Sequence, residues 1–138
     1  MTSESVQPTG MRPHYWKGEL PIAFVFSVPG ARENSTGRPV SGPTGENLSF
    51  ALDFLHYELP EVFSSTDRYA YRITNAYSKP IAKSLGDVSS QASDKQVQAP
   101  ENIARVLSDI SGCSVVILCG IKAQLLAESI RQDSKTIV

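Results

Sequence analysis

The sequence IAFVFSVPGARENSTGRPVSGPTG, residues 22–45, decides how the rest of the chain is interpreted. Its first seven residues, 22–28, form a continuous apolar run of strand-forming side chains, which is typical of a buried strand in a parallel sheet. Residues 28–45 contain four of the nine glycines and three of the nine prolines of the chain. An irregular connection of this length is uncommon in a compact domain unless it has a function.

Helical and extended patterns alternate along the rest of the chain. Leucines at helical spacing predict a helix that has Thr44 as N-cap and that ends at Pro60. The alternating sequence RYAYRITNAY, residues 68–77, predicts a second strand. The other predicted elements are a helix that begins at Pro100 and ends at Gly112, a strand at 114–120, a helix at 121–131 and the start of a fourth strand at 135–138. This alternation indicates an α/β fold with a parallel sheet covered on both faces.

Two stretches lack such patterns. Residues 1–19 are polar and contain Pro8 and Pro13, so we interpret them as a loose N-terminal arm that precedes a single domain at 20–138. Residues 78–98 are rich in serine, lysine and glutamine, which makes them the least structured part of the domain by composition.

Length, charge and cysteine content exclude several classes of protein. A chain of 138 residues suffices for one globular domain. Its net charge of −1 means that any contact with nucleic acid depends on a local patch. Cys113 and Cys119 form no CxxC pair, so we predict buried thiols, no metal site and no cofactor. Because the sequence has neither a secretory signal nor about 18 consecutive apolar residues, we expect a cytoplasmic protein without a membrane partner.

Two loops leave the predicted sheet at the carboxyl ends of its strands, where ligands bind in such folds. The loop at 28–45 is not a phosphate-binding P-loop, because Pro43 replaces the lysine that should follow Gly42. Glycine and proline do allow the backbone to approach a flat ligand closely, and the amide of Asn75 suits the hydrogen-bonding edge of a base. The alternative is that Asn75 caps a strand and the loop is an ordinary surface connection.

The order of these motifs resembles that of the uracil-DNA glycosylase superfamily. The sequences PGARE and GRPVSGPTG, followed by RITNAYSKP at 72–80, are similar to the branch whose motifs are G-E-x-P-G, G-R-P-F-x-G and T-N-x-x-K. The resemblance extends over residues 20–138. It implies a three-layer α/β/α fold with a central four-stranded parallel sheet. It also implies a DNA-repair hydrolase that flips uracil or a related damaged base out of DNA and hydrolyses its N-glycosidic bond.

The resemblance implies roles for individual residues, with DNA as the partner. Ser27, which would hold the attacking water, and Glu33 would be the catalytic residues. The residues implied to hold the base are Val28, Pro29, Gly30, Val40 and Asn75. Those implied to contact DNA are Arg38, Ser41, Gly42, Thr44 and Lys79.

Four features depart from the family pattern. Ser27 stands where the branch has an acid, and a serine hydroxyl is a poor base. Val40 stands where a phenylalanine usually stacks on the base. The chain ends at Val138, before the expected third motif with its histidine, so either the chain is part of a longer protein or it lacks that element. Many members hold an iron–sulfur cluster with four cysteines, whereas this chain has two, so we predict no cluster.

These departures leave three functions open. The first is a glycosylase active on uracil or another damaged base. The second is a catalytically inactive module that keeps the fold and recognises a base, DNA or a partner protein. The third is an unrelated α/β domain whose loop is incidental, because a fold by itself does not determine a function.

Overall fold

Three parallel strands form the body of the sheet. In the computed structural model, which describes residues 12–89, 91–133 and 136–137, β1 at Ile22–Phe26 lies between β2 at Arg72–Asn75 and β3 at Val115–Leu118. All five residues of β1 are buried, as expected for an apolar central strand. The predicted α/β class and parallel sheet are therefore confirmed for these three strands.

A short fourth segment lies beside β3. Thr136–Ile137, named β4, pairs in parallel with β3, and Val115 is opposite Thr136. The segment corresponds to the middle of the strand predicted at 135–138. The two outer positions of that prediction lie outside the described residues.

Six α-helices connect the described strands. Their bounds are Ala31–Thr36 (α1), Pro43–Glu58 (α2), Asp94–Gln98 (α3), Pro100–Asp109 (α4), Ile121–Gln124 (α5) and Ala127–Gln132 (α6). Short 3-10 turns lie at Arg68–Ala70 and Lys83–Leu85. Among the described helices, none combines the length and the apolar character needed to cross a membrane.

Alternation along β1 divides the apolar core between the two faces of the sheet. Ala23 and Val25 belong to a cluster that includes buried residues of α3, α4, α5 and α6. Phe24 and Phe26 belong to a second cluster, which includes Leu52 of α2. Successive side chains of a strand point to opposite faces, so the continuous apolar run of β1 supplies both clusters.

The loop after β1 contains more regular structure than its composition predicts. Ala31–Thr36 form α1, with Gly30 as N-cap. The second helix, α2, begins at Pro43 with Gly42 as N-cap, so the prediction of Thr44 as N-cap is wrong. Proline suits the first helical position because its missing N–H costs no hydrogen bond there.

The extent of β2 and the structure of the stretch 78–98 also differ from the predictions. The strand covers only Arg72–Asn75 of the stretch predicted at 68–77, because a 3-10 turn capped by the side chain of Asp67 precedes it. The stretch 78–98 contains α3, in which Ser93 and Gln96 form a capping box. This Ser-x-x-Gln signal was present in the sequence and predicts a helix start.

The described part of the predicted N-terminal arm contacts the sheet. The backbone N–H of Trp16 donates to the carbonyl of Ile73 at 2.9 Å, and the N–H of Ile73 donates back at 2.8 Å. The indole N–H of Trp16 donates to the carbonyl of Tyr69. Residues 12–19 are therefore not a loose arm, and residues 1–11 of that prediction lie outside the described residues.

Candidate functional site

A cleft of about 500 Å³ opens at the carboxyl ends of the three long strands. Its walls are the ends of these strands, the loop after β1 and one side of α2. This volume is in the range of small-molecule sites, about 300–1,000 Å³. The cleft brings together seven residues predicted from the sequence, namely Ser27, Val28, Pro29, Glu33, Val40, Thr44 and Asn75.

Asn75 is the only buried asparagine in the lining of the cleft among the described residues. It is the last residue of β2, lies opposite Phe26 and is 4% exposed. No hydrogen bond joins its side-chain amide to another of the described residues, although its backbone carbonyl accepts from Arg105 at 2.9 Å. Because the side chain lines the cleft, this amide offers a donor and an acceptor to a molecule that enters it.

A hydrogen-bond network behind Asn75 fixes the end of β2. Arg105 of α4 donates to the carbonyls of Asn75 and Ala76, at 2.9 and 3.2 Å, and forms a salt bridge with Asp109 at 2.9 Å. The amide of Asn102 also donates to the carbonyl of Ala76, at 2.7 Å. Hydrogen bonds from charged groups are stronger than neutral ones. The network therefore holds the backbone at this point and leaves the side chain of Asn75 to the cleft.

Glu33 of α1 links the two ends of the loop. One carboxylate oxygen accepts from the backbone N–H of Gly30 at 2.9 Å, and the other accepts from that of Gly42 at 2.8 Å. These glycines are the N-caps of α1 and α2, so the carboxylate satisfies one free N–H at each helix start. Glu33 lines the cleft with both oxygens already engaged. This geometry favours a positioning role for Glu33.

Ser27 follows β1 directly and lines the cleft beside Pro29. Its hydroxyl oxygen is buried and has no hydrogen-bond partner among the described residues. A buried hydroxyl without a partner is costly, at roughly 1–3 kcal/mol. The hydroxyl is therefore available to a water molecule or to a ligand that enters the cleft.

Val40 forms a strained edge of the cleft. Its φ of +44° is rare for a β-branched residue. The hydroxyl of Tyr69 donates to the carbonyl of the preceding Pro39 at 2.7 Å. A Cβ atom on Gly45 would lie 1.6 Å from the carbonyl oxygen of Val40, so only glycine allows α2 and the loop to approach this closely. Strain of this kind costs about 1–3 kcal/mol and occurs mainly at functional sites.

The apolar wall of the cleft was not predicted from the sequence. Phe26, Leu48, Leu55, Ile117 and Cys119 contribute to it. The ring of Phe26 supplies an aromatic surface, which Val40 does not. Burial raises the pKa of the Cys119 thiol to about 11, so the thiol is neutral at neutral pH and acts as an apolar group.

A topological signal could have identified part of this wall. Cys119 and Gly120 follow β3 at the carboxyl edge of the sheet, as Ser27 follows β1. The rule that ligands bind at this edge applies to all three strands equally. The contribution of α2 to this wall was harder to predict from the sequence, because its leucines fit an ordinary core face as well as a cleft wall.

Five residues predicted for the site do not line the cleft; they are Gly30, Arg38, Ser41, Gly42 and Lys79. The guanidinium of Arg38 lies 4.8 Å from the centre of the Tyr69 ring. The hydroxyl of Ser41 forms a hydrogen bond with that of Thr36 at 2.7 Å. Arg38 and Lys79 are exposed, so both remain accessible to a partner on the surface.

A second cavity, of about 480 Å³, lies between α3, α4 and the segment after β2. Its lining includes Arg105 and Asn102, whose polar groups belong to the network behind Asn75. Within the described ranges, no cluster of three or more His, Cys, Asp or Glu side chains could hold a metal ion. The first cleft is therefore the stronger candidate for a site, because its buried polar groups lack partners.

The comparisons with known proteins do not identify a family for this chain. No protein-family model matches the sequence, and no curated protein matches it.

Proposed function

We propose that this chain binds a base flipped out of DNA in the cleft and hydrolyses its N-glycosidic bond, as a DNA-repair glycosylase for uracil or a related damaged base. The observation that carries the proposal is the side-chain amide of Asn75, a residue only 4% exposed, which lines a cleft with an aromatic wall and has no hydrogen-bond partner among the described residues. An amide has a donor and an acceptor side by side, which matches the edge of a pyrimidine base. The resemblance to the uracil-DNA glycosylase superfamily supports the same reading.

The residues of the cleft can divide the chemistry as follows. Asn75 would bind the base edge, and Val28, Pro29 and Val40 would enclose the base. Ser27 would hold the attacking water through its free hydroxyl. The bond between the sugar C1′ and the base breaks with its electron pair on the base, the water oxygen bonds to C1′, and the water's proton passes to the base or to solvent.

We propose that DNA runs along the rim of the cleft. Arg38, in the loop after β1, and Lys79, in the segment after β2, are exposed cations, and cations position a nucleic acid by its phosphates. Ser41, Gly42 and Thr44 belong to the start of α2, where backbone N–H groups favour anions. The backbone N–H of Gly42 is already bound by Glu33, so Thr44 and Ser41 are the better contacts.

We also propose that the pairing of Thr136–Ile137 with β3 is part of a full fourth strand. The sheet would then have four parallel strands between two helical layers. The two apolar clusters on opposite faces of β1 support this arrangement.

A second candidate function is a module that recognises the base without hydrolysing it. The specific observation that favours it is Glu33, the acid in the described lining of the cleft, whose two oxygens are both bound by backbone amides. Because backbone amides already hold both oxygens in place, Glu33 is a poor general base for the attacking water, which favours binding without hydrolysis. Both candidates share the binding site and differ only in the chemical step.

The test measures release of free uracil from single- and double-stranded DNA and, in parallel, binding of the same DNA. We compare the wild type with Asn75→Ala and with Asn34→Ala, a matched change at an exposed asparagine outside the cleft. Release that only Asn75→Ala abolishes supports a glycosylase. Uracil-dependent binding without release supports the binding module. Neither release nor uracil-dependent binding would overturn the proposal and favour an unrelated α/β domain.

A further inference from the structure

The outer face of α2 carries an aromatic stripe that the described residues leave uncovered. Phe50, Phe54 and Tyr57 are 75%, 65% and 80% exposed. They lie at i, i+4 and i+7, which places them on one face of the helix, opposite the buried Leu48 and Leu52. A buried aromatic side chain covers about 150–250 Å². The stripe therefore exposes several hundred Å², which marks an interaction site on a protein surface.

The aromatic side chains of the stripe have the spacing of the apolar positions in one helix of a coiled coil. In a heptad, the apolar positions a and d form the seam and the positions e and g flank it. With Phe50 and Tyr57 at d, Phe54 is at a, and the preceding a position is Asn47. The three aromatic side chains therefore form a continuous seam over two heptads of α2.

The flanks of this seam are acidic. The two g positions are Glu46 and Asp53, and the second e position is Glu58. All three side chains are exposed. From Pro43 to Phe63 the chain contains four acidic residues and neither lysine nor arginine. Arg68 lies beside Phe50 and Asp53, but its guanidinium is turned toward α2, where it donates to the carbonyl of Gly45 and the hydroxyl of Ser49.

This charge pattern argues against a second copy of the chain as the occupant. In a parallel pair of α2 helices, Asp53 at g would face Glu58 at e of the other copy. In an antiparallel pair, the g positions of the two copies would face each other, again acid against acid. Like charges at these positions oppose pairing.

We propose that the outer face of α2 docks an amphipathic helix of a partner protein, with apolar side chains at a and d and lysine or arginine at e and g. The aromatic stripe supplies the apolar seam, and the basic flanks of the partner pair with Glu46, Asp53 and Glu58. Nucleic acid does not fit this face, because the same acidic side chains repel phosphates. The proposal does not depend on what the cleft binds, although Asn47 at the first a position also lines the cleft.

The test uses a fluorescent synthetic helix of three heptads with leucine at a and d and lysine at e and g, which its own charges keep from pairing with itself. The control is the same peptide with glutamate at e and g. Binding is measured by fluorescence anisotropy with the full chain. We expect the lysine peptide to bind at least about tenfold more tightly than the glutamate peptide. We expect the triple variant F50S/F54S/Y57S to weaken binding of the lysine peptide at least about tenfold.

A matched double variant, V88S/I121S, removes two exposed apolar side chains elsewhere, 100% and 78% exposed, and should bind as the wild type does. Circular dichroism should show that both multiple variants keep the native fold, because every substituted side chain is exposed. Three results would each overturn the proposal. They are equal binding of the two peptides, unchanged binding by the triple variant, and a dimer of the wild-type chain in sedimentation that the triple variant dissolves.

Discussion

The two walls of the cleft hold polar side chains in different ways. On the β2 wall, formed by Asn75 and the network around Arg105, the backbone is fixed and the side-chain amide is left without a partner. On the loop wall, residues 28–45, the side chain of Glu33 is fully engaged by the amides of Gly30 and Gly42. Judged by residue type alone, a carboxylate is a better candidate than an amide for a catalytic group, because it can act as a general base. The contacts instead favour Asn75, because its amide is the group left without a partner.

The two groups therefore differ in their contacts: the amide of Asn75 is available to a ligand, whereas the carboxylate of Glu33 holds the loop in place. A buried group with satisfied hydrogen bonds contributes to stability, and its loss should be seen in unfolding. A polar group that faces the cleft without partners has no hydrogen bond to lose on substitution, so its loss should be seen in binding. Substitutions on the two walls should therefore divide into these two classes.

The largest expected effect is that of Gly45→Ala on the loop wall. The new Cβ would lie 1.6 Å from the carbonyl oxygen of Val40, so the backbone of the loop or of α2 must move. We expect the free energy of unfolding to fall by at least about 3 kcal/mol, measured by urea denaturation.

Gly112→Ala is the control for this prediction, because its φ is +87° but no atom lies within 4 Å of the new Cβ. It should cost about 1 kcal/mol through backbone strain alone. Equal costs for the two variants would contradict the close approach between Val40 and Gly45.

Arg105→Met tests the network behind the β2 wall. It removes the charged hydrogen bonds to the carbonyls of Asn75 and Ala76 and leaves Asp109 without its cation. We expect a loss of about 2 kcal/mol in the free energy of unfolding, together with weaker binding of uracil-containing DNA because Asn75 is no longer held in place. Loss of stability with unchanged DNA binding would show that the network does not position Asn75.

Glu33→Gln tests the role of the loop wall. The amide group would place an N–H donor against one of the two backbone N–H groups that the carboxylate now accepts from. We expect unfolding to become easier by about 1 kcal/mol, with uracil binding retained. If the variant instead loses uracil release by more than about a hundredfold with unchanged stability, Glu33 is a catalytic group and the comparison fails.

A smaller expected effect is a pH-dependent change in the free energy of unfolding that His14 causes. Burial lowers its pKa below the usual 6.5, the positive charges of Arg105 and Arg12 lower it further, and Asp109 opposes them. Because the unfolded chain binds the proton more readily, this contribution to stability is present above pH 6.5 and is lost as pH falls below it. Between pH 7 and 5.5, unfolding experiments should show that His14→Gln loses less stability than the wild type. An identical loss in the two proteins would exclude His14 as the cause.

The parallel sheet and the position of the site were accessible from sequence because both follow from patterns. The apolar run at 22–28 predicted the central strand, and the rule about carboxyl ends led to the loop at 28–45 and to Asn75, whereas Ser27 was implied by the resemblance. The hydrogen bonding of Glu33 could not be predicted from the sequence, because it depends on α1, which brings the carboxylate to the backbone amides of residues three positions before it and nine positions after it. No local pattern predicted that helix within a loop rich in glycine and proline.

The part of the cleft wall formed by α2 could not be predicted from the sequence either, because it also depends on tertiary packing. Leu48 and Leu55 fit the core face of any amphipathic helix, and only the packing of the loop around Val40 leaves space beside them. The exposed Phe50, Phe54 and Tyr57 were equally visible in the sequence. Their exposure depends on which face of α2 packs on the sheet, which the structure establishes.

The most direct test of the account compares the affinity of the wild type and Asn75→Ala for the same oligonucleotide with uracil or with thymine at one position. The amide of Asn75 has no partner to lose, so the variant should unfold within about 1 kcal/mol of the wild type. We predict that the wild type prefers uracil and that the variant loses this preference by at least about tenfold, the usual value of one paired base contact. A wild type without preference, or a variant that keeps it, would contradict the claim that Asn75 reads a base.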